Sequence, residues 1–124
     1  MIEHWDMPVG FGSPYHTHHR EDESFYVLEG KVALVFDGKW MEAGPGTFVY
    51  GPRYIAHGFK VIGERPARML VICTPAGFER FISDQATPIG QPPQPPDTQR
   101  MMVLAKRHEV EIHGPLPEIP AEFN

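Results

Sequence analysis

The stretch GFGSPYHTHHREDESFYVLEG, residues 10–30, places histidines and carboxylates directly before an apolar run. Side chains two residues apart in an extended strand point to the same side, so His16 and His18 are predicted to share one face while Thr17 points away. The polar segment after them is suited to a turn or bulge, and a returning strand would bring Glu23 beside the two histidines. The stretch therefore predicts two strands joined by a polar turn.

The apolar run is one of a series of short extended segments that reaches to about residue 74. Their sequences are SFYVLEG (24–30), KVALVF (31–36), KWMEA (39–43), GTFVY (46–50), HGFKV (57–61) and RMLVICT (68–74). Such segments, rich in β-branched and aromatic residues and separated by Gly, Pro and Asp, are typical of antiparallel sandwiches and barrels. Asp37-Gly38 predicts a tight hairpin, because both residue types tolerate a positive φ. The predicted fold class is all-β.

The pattern changes after Thr74. A predicted short helix, a proline-rich linker and a predicted longer helix follow: PAGFERFISD (75–84), PIGQPPQPP (88–96) and DTQRMMVLAKRHEVEI (97–112). Asp97 is the expected N-cap of the longer helix, and HGPLPEIPAEFN (113–124) is interpreted as a proline-rich tail. We therefore expect a barrel over residues 1–75, with strand content that extends to about 78. A helical and proline-rich extension over 76–124 is expected to pack on it.

Composition excludes several classes of function. A length of 124 residues suits one domain, and a net charge of −5 without a concentrated basic face makes nucleic acid an unexpected partner. The apolar runs are too short to span a membrane, and no signal peptide opens the chain. The lone cysteine, Cys73, has no partner for an internal disulfide, so we expect a cytoplasmic protein in which Cys73 is a small buried hydrophobe.

The residue types at positions 16, 18 and 23 are those of transition-metal ligands. Imidazole nitrogens with one carboxylate suit a divalent first-row ion better than calcium or magnesium. His57 opens the HGFKV strand, and antiparallel pairing across a barrel would bring it in as a fourth ligand. An HxH pair alone is weak support, since solvated histidine loops contain it too. The remaining histidines are expected to face solvent or to pack: His19, which has the opposite parity to its neighbours, His4, His108 and His113.

The same residues carry a resemblance to a known family. Residues 10–30 resemble the first cupin motif, G-x5-H-x-H-x4-E-x6-G, and match it at Gly10, His16, His18, Glu23 and Gly30. GTFVYGPRYIAH (46–57) resembles the second motif, G-x5-P-x-G-x2-H-x3-N, at Gly46, Pro52 and His57. Tyr54 replaces the motif's glycine, which predicts either a different backbone or a larger side chain near the mouth, and Val61 replaces its asparagine. The resemblance covers roughly residues 10–75, and the chain is similar to bacterial single-domain, quercetinase-like cupins.

This resemblance implies a fold, a cofactor and an activity. The fold is a double-stranded β-helix, or jelly-roll barrel, with short C-terminal helices. The cofactor is one divalent transition metal per chain (iron, manganese, nickel, cobalt, copper or zinc), held by His16, His18, Glu23 and His57. The implied activity is that of a dioxygenase acting on a small aromatic or enol, flavonol-like substrate in the barrel, with Glu23 also serving as the catalytic base. The expected pocket residues are Phe25, Val27, Phe48, Phe59, Met69 and Tyr54.

Two alternatives stay open at this point. One is a non-catalytic module that binds a metal or a small ligand. The other is a decarboxylase or isomerase of a small acid or sugar, which would need a cation in the cavity, either Arg53 or Arg68 if one points inward. Few residues precede Gly10, so the first strand is expected to leave an uncovered sheet edge, which pairing with a second chain would remove. We therefore expect a homodimer with exchanged or abutting N-terminal strands.

Overall fold

Nine strands and two α-helices make up most of the computed structural model, which describes residues 1–123. The strands are β1 (Ile2–Met7), β2 (Tyr15–His18), β3 (Asp22–Glu29), β4 (Lys31–Phe36), β5 (Lys39–Ala43), β6 (Phe48–Val49), β7 (His57–Ile62), β8 (Ala67–Thr74) and β9 (Val110–Gly114). The helices are α1 (Phe78–Ser83) and α2 (Thr98–Arg107), and a short 3-10 turn covers Ala121–Phe123. No helix among these residues is long and apolar enough to cross a membrane.

The strands form two antiparallel sheets that face each other. The first sheet has the order β1-β8-β3-β6 and the second the order β5-β4-β7-β2-β9. Side chains from the inner faces of both sheets make one core, in which Val27, Leu34 and Met69 are fully buried. This arrangement is the predicted all-β jelly roll, since consecutive strands cross between the two layers everywhere except at the β4–β5 hairpin within the second sheet.

The local patterns that predicted the strands hold in the structure. Asp37 and Gly38 both adopt a positive φ, 49° and 75°, and connect β4 to β5 as a hairpin. In β3 the odd-numbered residues Glu23, Phe25 and Val27 are buried and face inward; on the outer side Tyr26 and Leu28 are half-buried, although Ser24 is buried too. A period of two in burial is what a sheet covered mainly on one face requires.

The C-terminal extension departs from its prediction in one respect. The helix expected over residues 97–112 begins as predicted, with the Asp97 side chain accepting a hydrogen bond from the Arg100 backbone N–H at 2.9 Å, but it ends at Arg107. Glu109 has a φ of 57°, which breaks the helix, and Val110–Gly114 then pairs with β2 as the outermost strand of the second sheet. The expectation that strand content stops near residue 78 is therefore wrong, because the extension supplies β9.

The two helices of the extension pack on the strands through a buried cluster of their own. Phe78 and Phe81 of α1 form a second buried cluster with Leu104 and Ala105 of α2 and with Val110. The same cluster contacts Ile2 of β1 and Cys73 of β8, which also contact the main core. The helices thus join the core of the barrel through these two residues.

Candidate metal centre

Both sheets contribute to one cluster of histidine and glutamate side chains. His16 and His18 alternate with Thr17 on β2, and His16 is the direct cross-strand partner of His57, the first residue of β7. Glu23 comes from β3 in the opposite sheet. The predicted shared face of His16 and His18 is present, and the ligand atoms of all four side chains lie within 4.8 Å of one another.

The four side chains converge on the Glu23 carboxylate. Its Oε2 atom lies 2.7 Å from Nε2 of His57, 2.7 Å from Nε2 of His18 and 3.6 Å from Nε2 of His16. All four residues are buried, and His18 and His57 expose only 1% of their surface. The side chains of His16 and Glu23 retain 9% and 8% exposure, more than those of His18 and His57.

The other ring nitrogen of each imidazole faces an acceptor. The acceptors are the Pro14 carbonyl for His16 (2.7 Å), the Glu21 carboxylate for His18 (3.0 Å) and the Ile55 carbonyl for His57 (3.0 Å). These contacts fix the proton of each neutral imidazole on Nδ1, so each Nε2 directs a lone pair inward. The Nε2 atom of His18 is buried and lacks a hydrogen-bond partner of acceptable geometry even though the carboxylate is close. Four acceptors around one point need a cation, and the donor set fits a divalent transition metal.

The pKa shifts also indicate that the cluster favours a positive charge. Burial alone would raise the pKa of Glu23, yet the imidazoles of His16, His18 and His57 around its carboxylate hold the pKa well below its usual range. Burial lowers the pKa of His16. Burial opposes protonation of His18 as well, but the nearby carboxylates of Glu23 and Glu21 outweigh it and raise its pKa. Without a metal, a proton on His18 would partly balance the carboxylates, and protons therefore compete with a metal for this site.

The remaining histidines lie outside the cluster. His19 pairs with Glu111 at 2.9 Å, and its side chain is 44% exposed, as its parity predicted. His113 lies near Thr17 on the outer face, and His108 packs beside Phe81. His4 packs, as expected: it is the register partner of the buried Met69 on β8, and its ring lies edge-on to Phe59.

Four of the six predicted pocket residues lie in the interior. Phe25, Val27, Phe59 and Met69 are buried, with Phe25 in aromatic contact with His57. The prediction of Phe48 as a pocket residue is wrong, because Phe48 is 57% exposed and lies opposite Tyr26 on the outer face of its sheet. Its neighbour Val49 sits opposite Phe25 and packs on the core instead.

Tyr54 also requires a correction as a pocket residue. Its φ is 70°, a left-handed backbone conformation that favours glycine. The side chain is 63% exposed and contacts His19, away from the interior. Val61, the other departure from the motif, is fully buried in the core.

Sequence reasoning missed three residues next to the cluster. Glu21, in the turn between β2 and β3, is 2% exposed and accepts the hydrogen bond from His18. The Phe78 ring of α1 lies edge-on to His18 with a centroid distance of 4.7 Å. Phe36 stacks on His57 at 5.4 Å. The acidic run around Glu21 was the available sequence signal for this residue. It did not predict burial, because the alternation of inner and outer faces applies to a strand and Glu21 lies in a turn.

Gly51 sets the position of Glu23 through close backbone contact. The Glu23 N–H donates to the Gly51 carbonyl at 2.7 Å, and a Cβ on Gly51 would clash with the Glu23 carbonyl oxygen. We expect Gly51→Ala to lower the free energy of unfolding by about 1–3 kcal/mol, because the start of β3 must move. Urea denaturation measures this. Gly44→Ala is the matched control, since a Cβ there has no atom within 4 Å; equal stability of the two variants would contradict the argument.

The fold and the cluster together define a jelly-roll protein with a buried set of three histidines and one carboxylate able to hold a metal ion. Residues 3–73 match the family model described as the cupin domain, which is more than half of the chain. The chain belongs to the cupin family.

Similar proteins include enzymes of different kinds. The chain is 29% identical over 73 residues to a quercetin 2,3-dioxygenase from Bacillus subtilis, covering 59% of this chain and 21% of that protein. It is 30% identical over 69 residues to an uncharacterized protein from Methanocaldococcus jannaschii, covering 56% of this chain and 55% of that one. A solved sugar phosphate isomerase from Silicibacter pomeroyi aligns with a TM-score of 0.51 and 31% identity, over 55% of this chain and 45% of the isomerase. The chain thus spans about half or less of each of these proteins.

Proposed function

We propose that this cupin is a metal-dependent dioxygenase that acts on a small aromatic or enol substrate. The observation that carries the proposal is the convergence of three imidazoles and one carboxylate beside an apolar interior wall of Phe25 and Phe59. The similarity to a quercetin 2,3-dioxygenase supports the same reaction class. A bound divalent ion would supply a Lewis acid for the substrate oxygen and a binding site for dioxygen.

Glu23 has the position and the charge of the proton acceptor in this proposal. Its Oε2 atom lies at the meeting point of the imidazoles, and their proximity keeps its pKa well below the usual range, so the carboxylate is charged. A substrate that approaches from the partly exposed side of His16 and Glu23 would place its enol O–H within reach of that oxygen, which would accept the proton. The buried phenylalanines would hold an aromatic ring and exclude water.

The decarboxylase or isomerase alternative receives less support from the charges. Arg53 is bound to Asp22 at the surface, with Nε 3.1 Å from Oδ1, and its side chain is 38% exposed. Arg68 pairs with Glu3 at 2.6 Å and stacks on Trp5, also outside the barrel. Among the buried residues of the described chain there is no lysine or arginine that could bind a carboxylate or a phosphate. An apolar, enolisable substrate therefore fits the interior better than an acid or a sugar phosphate.

The test of this proposal is oxygen consumption by metal-loaded protein. The protein is loaded separately with iron, manganese, nickel, cobalt, copper and zinc and is mixed with flavonols and related diketones. We expect oxygen uptake with at least one metal, and mass spectrometry with labelled dioxygen should find both labelled atoms in products. The control is the same protein after chelator treatment. Absence of uptake with every metal and substrate would overturn the dioxygenase assignment.

The homodimer stays a proposal of its own. β1 is an edge strand of the first sheet, and Trp5 on this strand is 59% exposed. An edge strand offers unpaired backbone groups that a second copy would cover. Sedimentation equilibrium at micromolar concentration should give the mass of a dimer, and a monomer mass would refute the proposal.

A further inference from the structure

Glu21 is a buried carboxylate that the four-ligand set does not include. It lies in the turn between β2 and β3 and is 2% exposed. Its Oε1 atom accepts the Nδ1–H of His18 at 3.0 Å. The corresponding partners of His16 and His57 are neutral backbone carbonyls. The His18 imidazole therefore donates its Nδ1–H to a charged group, whereas the His16 and His57 imidazoles donate to neutral ones.

This second carboxylate changes the charge of a loaded centre. A divalent ion contributes +2, and the carboxylates of Glu23 and Glu21 contribute −1 each, so the sum is 2 − 1 − 1 = 0. Without Glu21 the sum would be +1. In the described part of the chain the buried charged and polar residues include no lysine or arginine that would shift this sum. Charge matters here because the surroundings are apolar and screening by water is weak.

We infer that Glu21 is a positioning residue that orients His18 and makes the loaded centre electrically neutral, so that the centre favours a neutral, enolisable ligand over an anionic one. The inference rests on the proposed function in that it needs a divalent ion at the four ligands. It deepens that function by restricting the substrate to compounds that arrive uncharged. Such a substrate gives its proton to Glu23 only after it is bound. Carboxylates and phosphates enter poorly, because no positive charge remains to attract them.

The experiment is a titration of cobalt-loaded protein with azide, a small anion, followed by visible absorption of the cobalt ion. Glu21→Gln keeps the shape of the side chain and an acceptor oxygen but removes the charge. We expect it to tighten azide binding roughly tenfold or more, from the Coulomb energy of one unit charge at short range. It should also weaken cobalt binding by about 10–100-fold, so cobalt is kept in excess. A general loss of structure would weaken azide binding, which is the opposite direction.

Two further variants complete the test. Glu64→Gln removes a charge from the exposed turn beyond the far end of β7, the strand that begins with His57, and should leave azide binding within twofold of the wild type. Glu21→Ala removes the charge and the hydrogen bond together, and should tighten azide binding as Glu21→Gln does. Azide binding that is equal in the wild type and in both Glu21 variants would overturn the inference. The titration uses no oxygen and no organic substrate, so a missing dioxygenase activity does not affect it. A wild-type protein that takes up none of the six divalent ions would overturn both proposals.

Discussion

Replacing His18 with alanine is expected to abolish metal binding. The His18 imidazole is 1% exposed, its Nε2 lies 2.7 Å from the Glu23 carboxylate, and Glu21 fixes its orientation. Loss of even an outer partner of a metal ligand costs about 10–100-fold in affinity, so loss of the ligand itself should cost roughly 100-fold or more. Competition between the protein and a chromophoric chelator for cobalt measures this change. Oxygen uptake should disappear in parallel.

The neighbouring histidine provides a matched control for this variant. His19 is the next residue in the chain, but its side chain is 44% exposed and pairs with Glu111. His19→Ala removes an identical group and should leave the metal affinity within about twofold of the wild type, as surface changes usually do. Equal loss of metal affinity in the two variants would mean that the effect is not specific to the position of His18. Metal binding by His18→Ala as strong as that of the wild type would remove His18 from the ligand set.

Replacing Glu23 with glutamine is expected to separate binding from catalysis. The amide oxygen still offers a ligand atom, but it does not accept the proton of an enol at neutral pH. We expect the rate of oxygen uptake, expressed per bound metal ion, to fall by about 10²–10⁴-fold, the usual contribution of a positioned general base. Metal content is measured on the same sample, so that weaker loading is not mistaken for slower chemistry. An unchanged rate per bound ion would remove Glu23 from the role of base while leaving it as a ligand.

Much of the fold could be predicted because the deciding patterns are local. Alternation placed His16 and His18 on one face, and Asp37-Gly38 marked the hairpin between β4 and β5. These features depend on backbone geometry over two to four residues, which the sequence specifies directly. The position of the His57 side chain was harder to predict, because it depends on the pairing of β2 with β7, in which His57 lies opposite His16.

The misses arose where position depends on distant parts of the chain. The strand β9 pairs with β2 from the other end of the sequence, and the positive φ of Glu109 that frees it from the helix has no sequence signature. Phe48 belongs to a strand of two residues, in which a shift of one position exchanges the inner and outer faces. Glu21 is buried by the path of a turn, so neither a strand period nor a helix period could identify it.

The metal centre itself is tested most directly by X-ray absorption at the metal edge of protein loaded with one divalent ion per chain. We predict a retained ion whose scattering requires imidazole rings from three histidines and one carboxylate oxygen, the groups of His16, His18, His57 and Glu23. An ion that is not retained, or one whose scattering contains no imidazole contribution, would show that these four side chains do not form a metal site.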